Sequence, residues 1–433
     1  MVTNVSKETR AEVGRHIVLV QHEGIPTRDA DRARDFYMRV FGLQVLPRPP
    51  LPAPGLERPS RDRPRGEEAM ASGYRADHVG SLLRPPELLH ARTEHAAGRL
   101  PLEELRTVED RAVLEALALQ RQIGMSVVTD GEFRRGSWLT SMAEAVEGFV
   151  SDSIVIEWHG PGGGAEASTA RVVGSQLRQR RRLTEHEIAF LKNHSHGPFK
   201  ITVPTPSSFL LVGYKPGLTD RFYATRADMV HELALIVGRE IAALVEEGAP
   251  YIQLDAPYYT SYLDTRVRER LRQHGVDPDE AFDESLAADR ASLEGVGRDG
   301  VTFGLHVCRG NSKSRWFTEG GYDPVAEKLF TLPVDRFLLE YDTERAGGFE
   351  PLRFVPRGKT VVLGLVTTKE PQLESQDALL RRIDEASRYV PIENLAISPQ
   401  CGFASVAAGN LISWDDQRRK LELVAQVARR VWG

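Results

Sequence analysis

The sequence predicts an α/β protein built on a (β/α)8 barrel, and three observations carry that expectation. Short apolar runs of strand type alternate with longer helical patterns along most of the chain. There are eight such runs, the number that closes a barrel. No GxGxxG turn follows the first run, as a doubly wound open sheet would ask.

The expected strands are 75–81 (RADHVGS), 126–132 (SVVTDGE), 199–206 (FKITVPTP), 251–257 (YIQLDAP), 302–308 (TFGLHVC), 336–342 (RFLLEYD), 360–366 (TVVLGLV) and 395–401 (LAISPQC). Most are apolar nearly throughout, the pattern of a parallel strand covered on both faces. The expected helices include 102–124, 225–248, 280–297, 374–389 and 413–431. In 225–248, Met229, Leu233, Ile236, Ile241 and Leu244 recur at helical spacing. The connection from Glu132 to Phe199 is too long for a standard βα loop. It holds a Gly-rich piece (GPGGGAEAS) and a basic piece read as helical (SQLRQRRRLTEHEIAFLKNH). We read it as an insertion after the second strand that passes over the barrel mouth, with the RQRRR run on a solvated helix face.

Composition narrows the function. Of 433 residues, 41% are hydrophobic and 27% charged, a globular balance. A formal charge of −5 speaks against a nucleic-acid partner, which leaves a basic stripe. No run of about 18 apolar residues is present to span a membrane, and the N-terminus lacks the apolar core of a secretory signal. The expected compartment is the cytoplasm, and oligomeric state is not legible. Residues 46–73 are rich in Pro and charge and read as a linker. They divide an N-terminal appendage, 1–45, from a main body over 74–433.

The chain keeps two cysteines, Cys308 and Cys401, too few for a disulfide framework in such a compartment. Barrel enzymes carry their chemistry at the C-terminal ends of the strands. The fifth run ends in His306 and Cys308, two residues apart and so on one face. The sixth carries Glu340, and the eighth ends in Cys401. One His, two Cys and one Glu are a donor set for Zn2+. Two thiolates and a carboxylate around a divalent ion leave a net negative charge. Such an ion makes hydroxide poorly but suits holding a substrate thiol as a nucleophilic thiolate. Glu340 is the ligand expected to give way, which makes it catalytic as well. Buried cysteines and a core histidine without a metal are the alternative.

At these residues a family resemblance becomes specific. HVC (306–308), a Glu on the next strand and SPQCGF (398–403) resemble the C-terminal catalytic barrel of cobalamin-independent methionine synthase, and its short single-barrel relatives more closely. HVGSLLRP (78–85), VVTDGEFRR (127–135), LDAPYYTSY (254–262), GLHVCRGN (304–311) and LGLVTTK (363–369) agree with it, from about residue 74 to the C-terminus. The resemblance implies zinc on His306, Cys308, Glu340 and Cys401. It implies that Gly80 and Ser81 contact the amino-acid part of homocysteine, and that Glu132 and Asp255 hold its ammonium, Asp255 counting as catalytic too. His78 is placed as a substrate or proton-handling residue, with a satisfied core histidine as the alternative. Trp138, Tyr258 and Tyr259 are candidates to line the donor pocket.

The expected partners are thus a small thiol and a methyl donor. The long enzymes' N-terminal barrel is absent, and DAP stands where they have DEP, so the resemblance does not fix the donor. A methylated folate, a methylated corrinoid, another methylated compound, or an epoxide as in the epoxyalkane:coenzyme M transferases all stay open. A non-catalytic zinc-binding protein is the reading from another class. Residues 16–48 resemble the opening of a vicinal-oxygen-chelate (glyoxalase-like) module, with His22 at a ligand position, but too few strands follow to complete one.

Overall fold

Among the described residues the strands fall into two sets. An antiparallel pair, β1 (Val146–Trp158) and β2 (Gly164–Gln179), stands apart from a parallel sheet. That sheet runs in chain order through β3 (Lys200–Pro204), β4 (Tyr251–Asp255), β5 (Thr302–Val307), β6 (Arg336–Glu340), β7 (Thr360–Val366) and β8 (Leu395–Pro399). The computed structural model describes residues 73–433. The appendage expected over 1–45, and the linker over 46–73 up to its last residue, lie outside the described residues.

The first two expected strands are shorter than their apolar runs. Each narrows to one bridge, Ala76 to Ile397 and Val128 to Phe199, both parallel. Backbone bonds complete the circuit from these points. Asp77 N donates to Ile397 O at 3.0 Å, Ser126 N to Ala76 O at 3.0 Å, and Lys200 N to Val128 O at 2.9 Å. The hydrogen-bonded path thus runs from β8 through the segments at 76 and 128 to β3. Both segments stop early because the chain turns there: Gly80 lies at φ 142°, Gly131 at φ 70° and Glu132 at φ 57°.

β3 to β8 are buried at every residue. Their helices form where expected, over Leu102–Ile123, Arg226–Glu246, Gln376–Ser387 and Trp414–Trp432. Thr225 and Ser413 open two of them as capping boxes. The helix expected over 280–297 runs instead over Pro278–Ala291, because Asp277 caps the N–H groups of Asp279 and Glu280 and Pro278 sits in its first turn. No helix among the described residues is long and apolar enough to cross a membrane.

The insertion corrects one expectation. Residues 175–179 continue β2 and pair with β1, Glu147 opposite Arg178, so helix begins only at Glu185. The basic run is not a helix face. Arg178 and Arg180 both meet Glu147, while Arg182 bonds Glu240 at 2.8 Å and Glu247 at 2.7 Å. Arg178 and Arg180 thus bond across the two strands of the hairpin, and Arg182 ties its base to the helix Arg226–Glu246. The Gly-rich piece is the hairpin turn. Its tip is pinned to the loop after β5 by His159 N to Trp316 O at 2.8 Å and by the reverse bond at 3.1 Å. A Cβ on Gly160 would come within 2.4 Å of the Trp316 ring, so the contact needs glycine there.

The barrel interior holds charge as well as hydrocarbon. Lys200 Nζ donates to Asp77 Oδ1 at 2.8 Å and also to His78 O, while Tyr251 Oη donates to Asp77 Oδ2 at 3.1 Å. Arg336 stands 3.7 Å from the same carboxylate. Gly304 on β5 makes room for this group, since a Cβ there would meet Tyr251 Oη at 2.8 Å and Leu338 Cδ1 at 3.1 Å. Gly304→Ala is therefore expected to destabilise the barrel by about 1–3 kcal/mol, read as a lower urea midpoint at unchanged slope.

Candidate metal centre and substrate cavity

β5 delivers His306 as its penultimate residue and Cys308 just beyond its end. β8 ends at Pro399, and the chain turns to place Cys401 two residues later. The two sulfurs lie 3.6 Å apart, and one donor atom each from His306, Cys308 and Cys401 falls within 4.8 Å of the others. All three residues are buried, and both cysteines are free. Neither His306 ring nitrogen bonds a nitrogen or oxygen. Its polar neighbours are the Cys401 sulfur and Asp255, which raise its pKa against the opposing effect of burial. The Cys401 thiol is pushed well down by the hydrogen bond with Cys308 and by His306 and Lys369. Cys308 is pushed well up by Cys401 and by burial. Two adjacent sulfurs and an unpartnered imidazole are a fitting donor set for a soft or borderline metal ion.

Glu340 is not brought into that group. Its Oε1 accepts from Arg345 Nε at 3.1 Å and Nη2 at 2.9 Å, and its Oε2 accepts from Arg309 N at 2.7 Å. It is fully buried, yet its pKa is lowered, because Lys369, Arg309 and Arg345 outweigh the desolvation.

The three clustered residues lie in one wall of a cavity of about 1150 Å³. Ser81, Glu132 and Asp255 line it beside them. Asp255 pairs with His306 across the β4–β5 register, and its Oδ1 accepts from Gln253 Nε2 at 2.8 Å. Burial first, with Glu132 nearby, pushes Asp255 up to about 7 against the pull of His306. Glu132 Oε1 accepts from Thr202 Oγ1 at 2.8 Å, and its Oε2 is buried without a partner. Gly80 stands behind this pair, where a Cβ would meet Thr202 Cγ2 at 2.9 Å and Glu132 Oε1 at 3.1 Å. The far wall is the hairpin, through Ile154, Ile156 and Trp158. Trp138 and Tyr258 also line the cavity, their rings 6.0 Å apart. Tyr259 does not: it is buried in the core and donates to Asp289 Oδ2 at 2.6 Å.

Residues 76–430 match the family model for the cobalamin-independent synthase catalytic domain. The chain belongs to that family. It is a methyltransferase of the cobalamin-independent methionine synthase type. It is 36% identical over 376 residues to the uncharacterized protein YxjH of Bacillus subtilis, covering 84% of this chain and 97% of the relative. It is 27% identical to the methionine synthase of Saccharolobus solfataricus, over 75% of this chain and 86% of that one. A solved Listeria monocytogenes protein, thought to be a vitamin-B12 independent methionine synthase, superposes with a TM-score of 0.62 at 28% identity, over 83% of this chain and 98% of that one.

Within this synthase fold the structure does not bring His78 to the cavity. Its ring is buried against Gln120 and the Val127 backbone, with Nε2 unpartnered, and burial together with Lys200 lowers its pKa to about 4. It packs as a core histidine and does not line the cavity. Sequence reasoning missed Asn311, Lys369 and Ser405. Lys369 Nζ donates to Asn311 Oδ1 at 3.3 Å, Asn311 Nδ2 to Gly402 O at 2.6 Å, and Ser405 Oγ lies 3.6 Å from Cys401 Sγ. Asn311 and Lys369 each close a motif that had been singled out, GLHVCRGN and LGLVTTK, just past a strand end.

His78 yields a pH prediction. Its folded pKa is depressed, so between about pH 4 and 6.5 the unfolded chain binds the extra proton. Its contribution to stability is complete above pH 6.5 and falls away toward pH 4, by about 3 kcal/mol at most. Melting curves across this range should flatten on the acid side in His78→Gln.

Proposed function

We propose that the chain transfers a methyl group to the sulfur of homocysteine, giving methionine, at a Zn2+ ion held by His306, Cys308 and Cys401, with Glu340 as the exchangeable ligand. One observation carries the reading: two free cysteine sulfurs and an unpartnered histidine share a cavity wall with two buried carboxylates. Zinc, when bound, supplies the Lewis acidity that keeps a substrate thiol deprotonated near neutral pH.

The chain's own residues do the rest. Glu132 and Asp255 offer anionic partners to the α-ammonium, a charge-assisted contact that tells an amino-acid thiol from a sulfonate thiol. Ser81 lies beside them as a polar contact for the rest of the amino-acid moiety. Asp255, held at about 7, can keep or release a proton at its carboxyl in the working pH range. Lys369 sets a buried positive charge near Cys401 and Glu340, which favours their anionic forms. Trp138, Tyr258 and the hairpin wall exclude water from the reacting sulfur. The cavity exceeds the usual range of small-ligand pockets, roughly 300–1000 Å³. It therefore has room for a methyl donor beside the acceptor.

Cys401→Ser is expected to lower metal content and turnover on the order of 100-fold or more while the far-ultraviolet circular dichroism and melting stay close to wild type. An unfolded variant would assign the metal a structural role instead. Zinc-edge X-ray absorption should shift from a two-sulfur to a three-sulfur shell on adding homocysteine, and an unchanged shell would reject homocysteine as acceptor.

A further inference from the structure

Glu132 is tied down on one side only. Arg84 Nη2 donates to its carbonyl oxygen at 3.1 Å, and Thr202 Oγ1 donates to its Oε1 at 2.8 Å. Its Oε2 is buried and unpartnered in a residue that lines the cavity. Thr202, on β3, is held in turn by Arg135. The guanidinium donates from Nη1 to Thr202 Oγ1 at 2.9 Å and from Nη2 to Thr202 O at 2.8 Å. Glu187 grips Arg135 from behind, Nε to Oε1 at 2.6 Å with a second contact from Nη2 to Oε2. All four residues are more than nine-tenths buried.

The polarity of this chain is fixed by what each group can do. A guanidinium only donates, and a hydroxyl carries one proton. With Arg135 donating to the Thr202 oxygen, the hydroxyl's own proton goes to Glu132 Oε1. Glu132 is thereby kept as an acceptor with one oxygen satisfied and the other buried without a partner. Arg135 stands 4.0 Å from Oε1, so it is Oε2, with Asp255 nearby, that a neutral acceptor would leave buried without a donor.

We propose that Thr202 is a specificity-determining positioning residue: by pinning Glu132 Oε1 it aims Oε2 at the acceptor, so that the cavity selects a thiol bearing a protonated amine. The inference rests on the reading that Glu132 binds the acceptor's ammonium. Gly80 belongs to the same device, since any side chain there would press on both Thr202 and Glu132.

The test is calorimetric binding to the purified full-length enzyme, comparing L-homocysteine with 4-mercaptobutanoate, the same thiol without its amine. Thr202→Val should weaken homocysteine about tenfold and the desamino thiol by less than about twofold, and Thr202→Ser should restore homocysteine to within about twofold of wild type. A merely structural role would weaken both ligands together. Should the valine variant not fold, Thr202→Ala gives the same comparison without a second methyl against Arg135. Glu132→Gln is the control for the underlying reading. If it discriminates between the two thiols and the Thr202 variants do not, the positioning role falls alone. If Glu132→Gln weakens neither thiol selectively, the ammonium site itself is overturned and Thr202 with it.

Discussion

The site depends on one constraint, the register of short parallel strands in a closed circuit. Strands of five to seven residues have no length to spare, so where each begins decides what it presents at its end. Lys200 faces Tyr251 at the start of β3 and β4, Tyr251 faces Thr302 at the start of β5, and the second pairing brings Asp255 level with His306 at the far end of β4 and β5. The buried charges hold the phase. Asp77 takes Lys200 from β3 and Tyr251 from β4, with Arg336 of β6 close by. A one-residue slip of β3 would turn Lys200 out of the barrel and leave Asp77 buried without its closest cation. The ions cost desolvation, but they allow one alignment and so one site.

A second consequence is electrostatic. The C-terminal end of the barrel collects Cys308, Cys401, Glu340, Asp255 and Glu132 in one buried region. Such a gathering of acidic groups needs cations of its own, and the chain places them just outside the cavity wall. Arg345 and Arg309 serve Glu340, Lys369 lies near Glu340 and Cys401, and Arg135 serves Glu132 through Thr202. The acidic side chains can then stay in place whether or not a ligand is bound. That is the preorganisation a site needs if binding is not to include the cost of reorienting them.

Most of this was legible in the sequence, and the misses have physical causes. β3 to β8 announce themselves because strands buried on both faces must be apolar throughout. Cys308 and Cys401 stand out because the chain has two cysteines and both fall at strand ends, with His306 two residues before the first. His78 was misplaced by its position near such an end, although parity could have corrected it. Asp77 points inward to Lys200, so its neighbour must point outward toward the helix Leu102–Ile123. The hairpin was misread because a dense run of Arg with Gln resembles a helix surface, while its alternation of buried Leu177 with exposed Gln176 and Arg178 follows a strand. Thr202 was invisible for a different reason. A threonine in an apolar run is ordinary, and what makes it matter is an arginine and a glutamate brought from far along the chain.

In the proposed Zn2+ site, the surroundings of Glu340, as well as the donor set, would make it the ligand that yields. Its two oxygens already accept three hydrogen bonds, two of them from the Arg345 guanidinium. Each bond draws electron density that a metal would otherwise receive, so in the proposed reaction Glu340 is a weaker ligand than either cysteine sulfur. Arg345 is held in turn by Asp342 at 2.8 Å and lies over the Trp316 ring at 4.8 Å. The carboxylate therefore has a satisfied resting place away from the cluster, at no cost of an unpaired buried charge. The cysteines have no such alternative, since their sulfurs meet chiefly each other, His306 and Ser405. In the proposed Zn2+ site, Glu340 would therefore be the ligand with somewhere to go when a substrate thiol binds.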